Sequence, residues 1–207
     1  MYRCFFPAVT LSTGEKVENP RHLKEELKRL KVLQRRASKK KKGSNNRKKA
    51  VLKVAKLHEK IGNRRNDFLH KLTHRLTSEN QVGSIAVEDL NIAGMMKNHC
   101  LAQAIADVSW SEFNRQLEYK CEWRGVNLLK IGRFEPSSRT CDACGTVNRD
   151  LKLSDRTWTC ACGTEHDRDY LAARNIKRFA LTNDNLKYSP RGSGVELSET
   201  RCCNGGR

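Results

Sequence analysis

Four cysteines between residues 141 and 162 restrict this chain more than any other feature. They read Cys141-x2-Cys144, a fifteen-residue spacer, then Cys160-x-Cys162, with Gly145 and Gly163 directly after the two pairs. Thiolates at this spacing form a tight knuckle, and two knuckles close a tetrahedron around zinc. Glycine suits the sharp turn that must follow each knuckle. The pattern therefore predicts a structural zinc site. Four thiolates leave no coordination position for a substrate, so any catalytic ion must be held elsewhere. The second pair is one residue shorter than the usual C-x2-C, which predicts a less regular knuckle.

Charge supplies the next constraint. The 207 residues carry a formal net charge of +18. From Pro20 to Arg75 there are 21 Lys and Arg against 4 Asp and Glu, so nearly all of the excess sits in one segment. A solvated helical face is the ordinary reason for a charge run. At this density a polyanion is the natural partner, and nucleic acid is the reading favoured here. A membrane partner fits less well, because no apolar run reaches the roughly 18 residues needed to span a bilayer. Nine cysteines in all, with Cys4, Cys100, Cys121, Cys202 and Cys203 scattered, do not make a disulfide framework. Met1 to Pro7 lacks the apolar core and cleavage site of a signal peptide. A reducing, cytoplasmic setting follows as the expectation.

The pattern along the chain predicts mixed α/β structure. A short hairpin is expected over Phe5 to Val17, turning at Ser12 to Glu15. Pro20 opens a helix with Leu23, Leu27 and Leu30 at helical spacing, broken at Lys39 to Asn46. A second long helix is expected from about Arg47 to Thr77, with a stripe of Ala50, Val54, Leu57, Ile61, Phe68, Leu72 and Leu76. Together they predict a basic helical hairpin. Val82 to Val87 reads as a buried central strand ending in the carboxylate of Glu88. A loop over Asn91 to His99, one helix over Leu101 to Arg124, a strand over Val126 to Ile131 and a helix over Tyr170 to Leu181 complete the expected order. Trp110, Trp123 and Trp158 are expected to be buried packing residues. The stretch from Asn183 has the polar, glycine-rich composition of a disordered tail.

Phosphodiester hydrolysis by two hard cations needs three or four converging carboxylates. Glu88, at a strand end, and Asp169, at a helix start, are suitably placed candidates for magnesium. Asp167 reads rather as a helix cap.

At this point the residues carry a resemblance. Val87-Glu88-Asp89-Leu90-Asn91, Pro136-Ser137-Ser138-Arg139-Thr140-Cys141, Leu153 to Cys160 and His166-Asp167-Arg168-Asp169 occur in order. Together with Gly14 to Pro20 and the basic hairpin, they resemble the C-terminal half of the TnpB (OrfB) family of insertion-sequence proteins, over residues 8 to 180. The resemblance implies an RNase H-like (RuvC-type) nuclease domain with an inserted zinc ribbon, in transposon-encoded, RNA-guided DNA endonucleases related to type V CRISPR effectors. It implies that Glu88 and Asp169 bind catalytic Mg²⁺, that Cys141, Cys144, Cys160 and Cys162 hold structural Zn²⁺, and that DNA and a guide-type RNA are the partners. The implied division is an RNase H-like core over 5–135 including the hairpin at 20–77, a zinc ribbon over 136–165, a last core helix over 166–182 and a tail over 183–207.

Departures from the family pattern shape the functional expectation. The family has a further catalytic aspartate on a first strand, just before the hairpin, but there is no aspartate between Met1 and Asn66. The N-terminal domains of the family have no counterpart here, so the chain reads as an N-terminally truncated, incomplete RNase H-like domain. Leu171 stands where the family usually has asparagine. The expectation is a transposon-associated nucleic-acid-binding protein of endonuclease lineage with impaired catalysis. The alternatives are a nuclease-dead zinc-ribbon regulator that binds DNA or RNA, and a decayed transposon remnant. Within either binding reading, Lys39, Lys40, Lys41, Lys42, Arg47, Lys48 and Lys49 are the candidate phosphate contacts.

Overall fold

The computed structural model describes residues 8–79, 82–152 and 154–182. The expected tail from Asn183, and the hairpin's start at Phe5, lie outside the described residues.

The N-terminal hairpin pairs β1 (Val9–Thr10) with β2 (Lys16–Val17) in antiparallel register, Val9 opposite Val17. Helices α1 (His22–Ser38) and α2 (Asn45–His74) then fold back on each other. Ser44 starts α2, its hydroxyl oxygen accepting the Arg47 amide at 3.2 Å. The residue before α1, Arg21, offers no side-chain cap. That task falls to Asp107, whose carboxylate accepts the Leu23 and Lys24 amides at 3.1 and 3.4 Å from a distant helix. Asp107 is thereby buried with a partner at the positive end of a helix dipole.

The leucine stripe divides α2 into two halves. Leu57 and Ile61 pack on Leu30 of α1, with Leu23, Leu33 and Val54 around them. Leu69, Leu72 and Leu76 pack on Phe113 and Leu117 of α5 (Trp110–Arg124), with Val9, Val17, Ile85, Val87 and Leu128 beside them. Beyond α2 the chain makes one wide π-helical turn over Arg75–Glu79. A polar chain crosses the second core. Lys120 Nζ donates to the Thr73 hydroxyl at 2.7 Å and to the His70 carbonyl at 2.8 Å. The Thr73 hydroxyl donates to the Gln116 carbonyl at 3.2 Å. Burial lowers the Lys120 pKa, and Arg124 adds to the effect.

Three sequence expectations need correction. The strand β3 (Ser84–Glu88) is not central and fully buried. It pairs in parallel with β4 (Asn127–Ile131), in a sheet that has two strands among the described residues, and β3 is only half-buried beyond Ser84. A strand is buried on both sides only when neighbours flank it. The single helix expected over Leu101 to Arg124 is two, α4 (His99–Val108) and α5, broken at Ser109 with φ of 57°. Arg65 explains the break: its Nη1 donates to the Ala106 carbonyl at 2.6 Å and to the Ser109 hydroxyl at 3.0 Å. Trp123 is not a packing residue but stands 76% exposed, edge-on to Tyr119. The loop after β3 also contains a short helix, α3 (Ile92–Met95), capped by Asn91.

The cysteine region carries a small hairpin of β5 (Thr157–Thr159) and β6 (Glu165–Asp167), and leads directly into α6 (Arg168–Thr182). Helix α6 packs on both β3 and β4. No helix among the described residues is long and apolar enough to cross a membrane.

Ile61 is 1% exposed at the centre of the helical-hairpin core. Urea unfolding should show Ile61→Ala costing about 2–5 kcal/mol and Ile61→Val about 0.5–1.5 kcal/mol. Equal, small losses would mean that this core does not unfold with the rest.

Candidate metal centre and carboxylate site

The metal centre is built by two turns. In the first, the Cys141 amide donates to the Thr146 carbonyl at 2.9 Å and the Gly145 amide returns to the Cys141 carbonyl at 3.0 Å. In the second, between β5 and β6, the Cys160 amide donates to Thr164 at 2.9 Å and the Gly163 amide to Cys160 at 2.8 Å. Gly145 and Gly163 take φ of 77° and 87°, which only glycine adopts without strain. The shorter C-x-C spacing is accommodated because Cys160 and Cys162 sit at either side of a hairpin turn.

These turns bring all four sulfurs within 4.8 Å of one another. Cys141 and Cys162 are 3.7 Å apart, Cys144 and Cys160 3.5 Å. Zinc–sulfur bonds of about 2.3 Å in a tetrahedron place sulfurs about 3.8 Å apart, so the donor set fits a metal ion of that size. The Thr146 hydroxyl beside Cys144, 3.3 Å away, holds that thiol down to about 6, with the Thr146 backbone contributing.

Sequence reasoning missed the residues that hold this centre in place. His166, on β6, lies with Nε2 3.2 Å from the Cys141 sulfur. Asp142 lies between His166 Nδ1, at 3.6 Å, and Arg174 of α6, at 2.6 Å. Asn175 of α6 is wholly buried and donates to the carbonyls of Ser137 and Thr140 at 2.7 and 2.6 Å. Asn175 and Arg174 both stand in the stretch that carried the resemblance. A polar pair on a helix otherwise lined by Leu171, Ile176 and Phe179 was the available signal.

The carboxylates sit nearby in the fold. Glu88 closes β3 and is half-buried, and burial raises its pKa. Asp89 points to Arg133 at 2.8 Å. Asp169 lies in the first turn of α6, its carboxylate 3.6 Å from Arg156. Asp167 is the helix cap: its Oδ1 accepts the Asp169 and Tyr170 amides at 3.1 and 3.0 Å, while Lys16 of β2 reaches Oδ2 at 2.7 Å. Burial opposes ionisation of Asp167, but the Lys16 ammonium and these amides outweigh it and lower its pKa. Among the described residues, no cluster of three or more metal-ligand side chains includes Glu88 or Asp169. Leu171 is buried in the α6 packing face.

The basic candidates gather at one end of the helical hairpin. Lys39 to Lys42 form the connection between α1 and α2 and are exposed. Arg47, Lys48 and Lys49 follow in the first turns of α2, and Arg47 donates to the Lys40 carbonyl at 3.1 Å.

The chain is similar to known proteins. The OrfB_IS605 family model, described as "Probable transposase", matches residues 8–99. The model for the Cas12f1-like TNB domain matches residues 110–176. A Streptomyces pristinaespiralis protein named "Putative RNA-guided DNA endonuclease" is 54% identical over 173 residues, covering 84% of this chain and 42% of that protein. The similarly named InsQ of Escherichia coli K12 is 34% identical over 183 residues, covering 81% of this chain and 45% of its own. A solved CRISPR-Cas12f ternary complex matches 91% of this chain and 41% of that one, with a TM-score of 0.60 and 18% identity. The chain spans less than half the length of these curated relatives.

Metal retention should depend on Cys144 remaining a thiolate. Titration of the metal-loaded protein toward acid should release the ion as protons capture the sulfurs. Thr146→Val removes the hydroxyl that lowers the Cys144 pKa, so release should begin at a higher pH than in the parent. An unchanged release midpoint would rule out that hydroxyl as the cause.

Proposed function

The chain belongs to the TnpB (OrfB) family of insertion-sequence proteins, and from that premise we propose that it binds nucleic acid as a member of an RNA-guided DNA endonuclease lineage, with impaired catalysis. Read this way, residues 5–135 and 166–182 form an RNase H-like core, residues 136–165 an inserted zinc ribbon, and residues 183–207 a tail. The four thiolates hold structural zinc. The partners are DNA and a guide-type RNA, as the names of its relatives suggest.

The observation that carries the binding reading is the charge at the hairpin end. Arg47, Lys48 and Lys49 lie at the N-terminus of α2, where the helix dipole already favours negative charge, and no acidic residue stands in that first turn. Cations there oppose helix stability. Helix N-termini with free amides and added cations are well suited to phosphate. Lys39 to Lys42 extend the same positive surface. Such contacts hold a backbone without reading sequence.

Glu88 and Asp169 are the residues that would hold magnesium, which when bound polarises the phosphodiester and activates water. Each lies on an element that packs against the other's, and burial raises the pKa of Glu88. Two carboxylates alone underneutralise a pair of hard cations, and misplacement of reacting groups by about 1 Å can cost 10²-fold in rate. These residues by themselves therefore bind rather than cut.

Two measurements test this. Replacing Lys39, Lys40, Lys41 and Lys42 by Gln should weaken DNA and RNA binding alike and flatten the slope of log affinity against log salt, by about 0.9 per lost phosphate contact on duplex DNA. A variant with the parent's slope would refute the phosphate assignment. Purified protein with Mg²⁺ and co-purified RNA should leave DNA intact, and cleavage that disappears in Glu88→Ala would refute the impairment.

Glu88 also has a pH signature. Its raised pKa means that the fold favours the protonated form, so its ionisation subtracts stability as pH rises through that pKa. Glu88→Gln should therefore raise Tm at pH 7, with the gain shrinking as pH falls into the ordinary carboxylate range. Mg²⁺ should stabilise the parent more than this variant. Equal Mg²⁺ responses would remove Glu88 from the metal site.

A further inference from the structure

The four-thiolate centre does not account for His166. His166 is 6% exposed, its ring packed at a tilt against Trp158 with centroids 4.7 Å apart, and therefore has little freedom to turn. Nε2 faces the Cys141 sulfur at 3.2 Å, within reach of an N–H to sulfur hydrogen bond. A metal-bound thiolate accepts but cannot donate, so the ring nitrogen facing it must carry the hydrogen. On the other side, Asp142 stands 3.6 Å from Nδ1, too far for a good hydrogen bond but close enough to orient the ring by its charge. Asp142 is itself fixed by Arg174 at 2.6 Å, and its backbone carbonyl accepts from Arg178 at 3.3 Å. Both arginines belong to α6.

We propose that His166 is a positioning residue of the metal centre, donating from Nε2 to the Cys141 thiolate and linking that sulfur through Asp142 to Arg174 of α6. The proposal rests on the reading of the four cysteines as one metal site. Four thiolates around a divalent ion leave a net charge of −2, and an N–H aimed at one sulfur disperses part of it. The same N–H fixes where Cys141 stands, and Cys141 is fully buried, so the knuckle cannot adjust by moving into solvent. Because the line ends on α6, metal loading and the seating of the helix that carries Asp169 become one event.

A different arrangement uses some of the same atoms. Ligand atoms of Cys141, Asp142 and His166 also lie within 4.8 Å of one another, so His166 could instead bind the ion directly. The thiolate set is already complete with four sulfurs, and His166 faces only the sulfur that it shares with that set. Donation is therefore the role that needs no sulfur to leave.

Co²⁺ titration of the full chain without oxygen, followed by visible absorption, decides between these roles. The parent should show a tetrathiolate spectrum. His166→Ala should bind Co²⁺ about 10–100-fold more weakly with its absorption bands unmoved. His166→Gln, which keeps an N–H, should recover part of that loss. Hydrogen exchange should show α6 protected by metal in the parent and less so in His166→Ala. Should His166→Ala fail to fold, Arg174→Gln, at a half-exposed side chain, should give a smaller loss of affinity in the same direction. Unchanged affinity in the variant that folds overturns the proposal, as does a shift of the bands in His166→Ala, which would make the imidazole a ligand. A parent that binds no Co²⁺ instead overturns the four-cysteine site on which the proposal stands.

Discussion

Asn175 Nδ2 donates two short hydrogen bonds, to the carbonyls of Ser137 and Thr140, in a site that water does not reach. Those carbonyls belong to the segment that enters the first cysteine turn. Each bond made is worth only about 0.5–1.5 kcal/mol net, but a buried carbonyl left without its donor costs about 1–3 kcal/mol. The penalty for separation therefore exceeds the gain from contact, and the cysteine module can sit in one place only. Arg174 and Arg178 extend the same grip to Asp142. Helix α6 is thus the part to which the metal centre is referred.

The sheet depends on that helix as well. Two strands by themselves are marginal in water, and a parallel pair is slightly weaker per residue than an antiparallel one. Here β3 and β4 persist because α6 packs on both, while Ile85, Val87 and Leu128 join the core formed by α2 and α5. Lys16 adds a third tie, from the N-terminal hairpin to Asp167 at the start of α6. A single helix consequently joins the hairpin, the sheet and the thiolates. Of the candidate carboxylates, Asp169 lies on this helix and Glu88 on a strand that it packs against.

Much of this was legible in the sequence, and the reasons differ by element. The helical hairpin could be read because its leucine stripe is long and its breaker segment, Lys39 to Ser44, has no apolar content. The cysteine turns could be read because thiolate spacing and glycine position are local requirements. Glu88 and Asp169 stood out as strand-end and helix-start residues, although their roles came from the resemblance. The break at Ser109 could not be read, since no glycine or proline marks it and its cause, Arg65, lies on another helix. Asp107 as a remote cap for α1, and Asn175 as the anchor of the cysteine module, were hidden for the same reason: each makes its decisive contact across more than thirty residues. The exposure of Trp123 was hidden because apolar content alone does not reveal which faces find a partner.

Local dissatisfaction separates the residues bound to structure from those available for chemistry. Asp167 has its carboxylate occupied by two amides and an ammonium, and its ionised form is stabilised, so it is fully used by the fold. Its neighbour two residues on, Asp169, has an arginine only at 3.6 Å. Glu88 is half-buried with its ionised form disfavoured. The cations at the start of α2 stand at the wrong end of a helix dipole. Glu88 and the cations at the start of α2 break a local rule, and such breaks concentrate at functional sites. A cation would relieve both carboxylates and a phosphate backbone would relieve the lysines. The metal and polyanion readings thus rest on the same criterion.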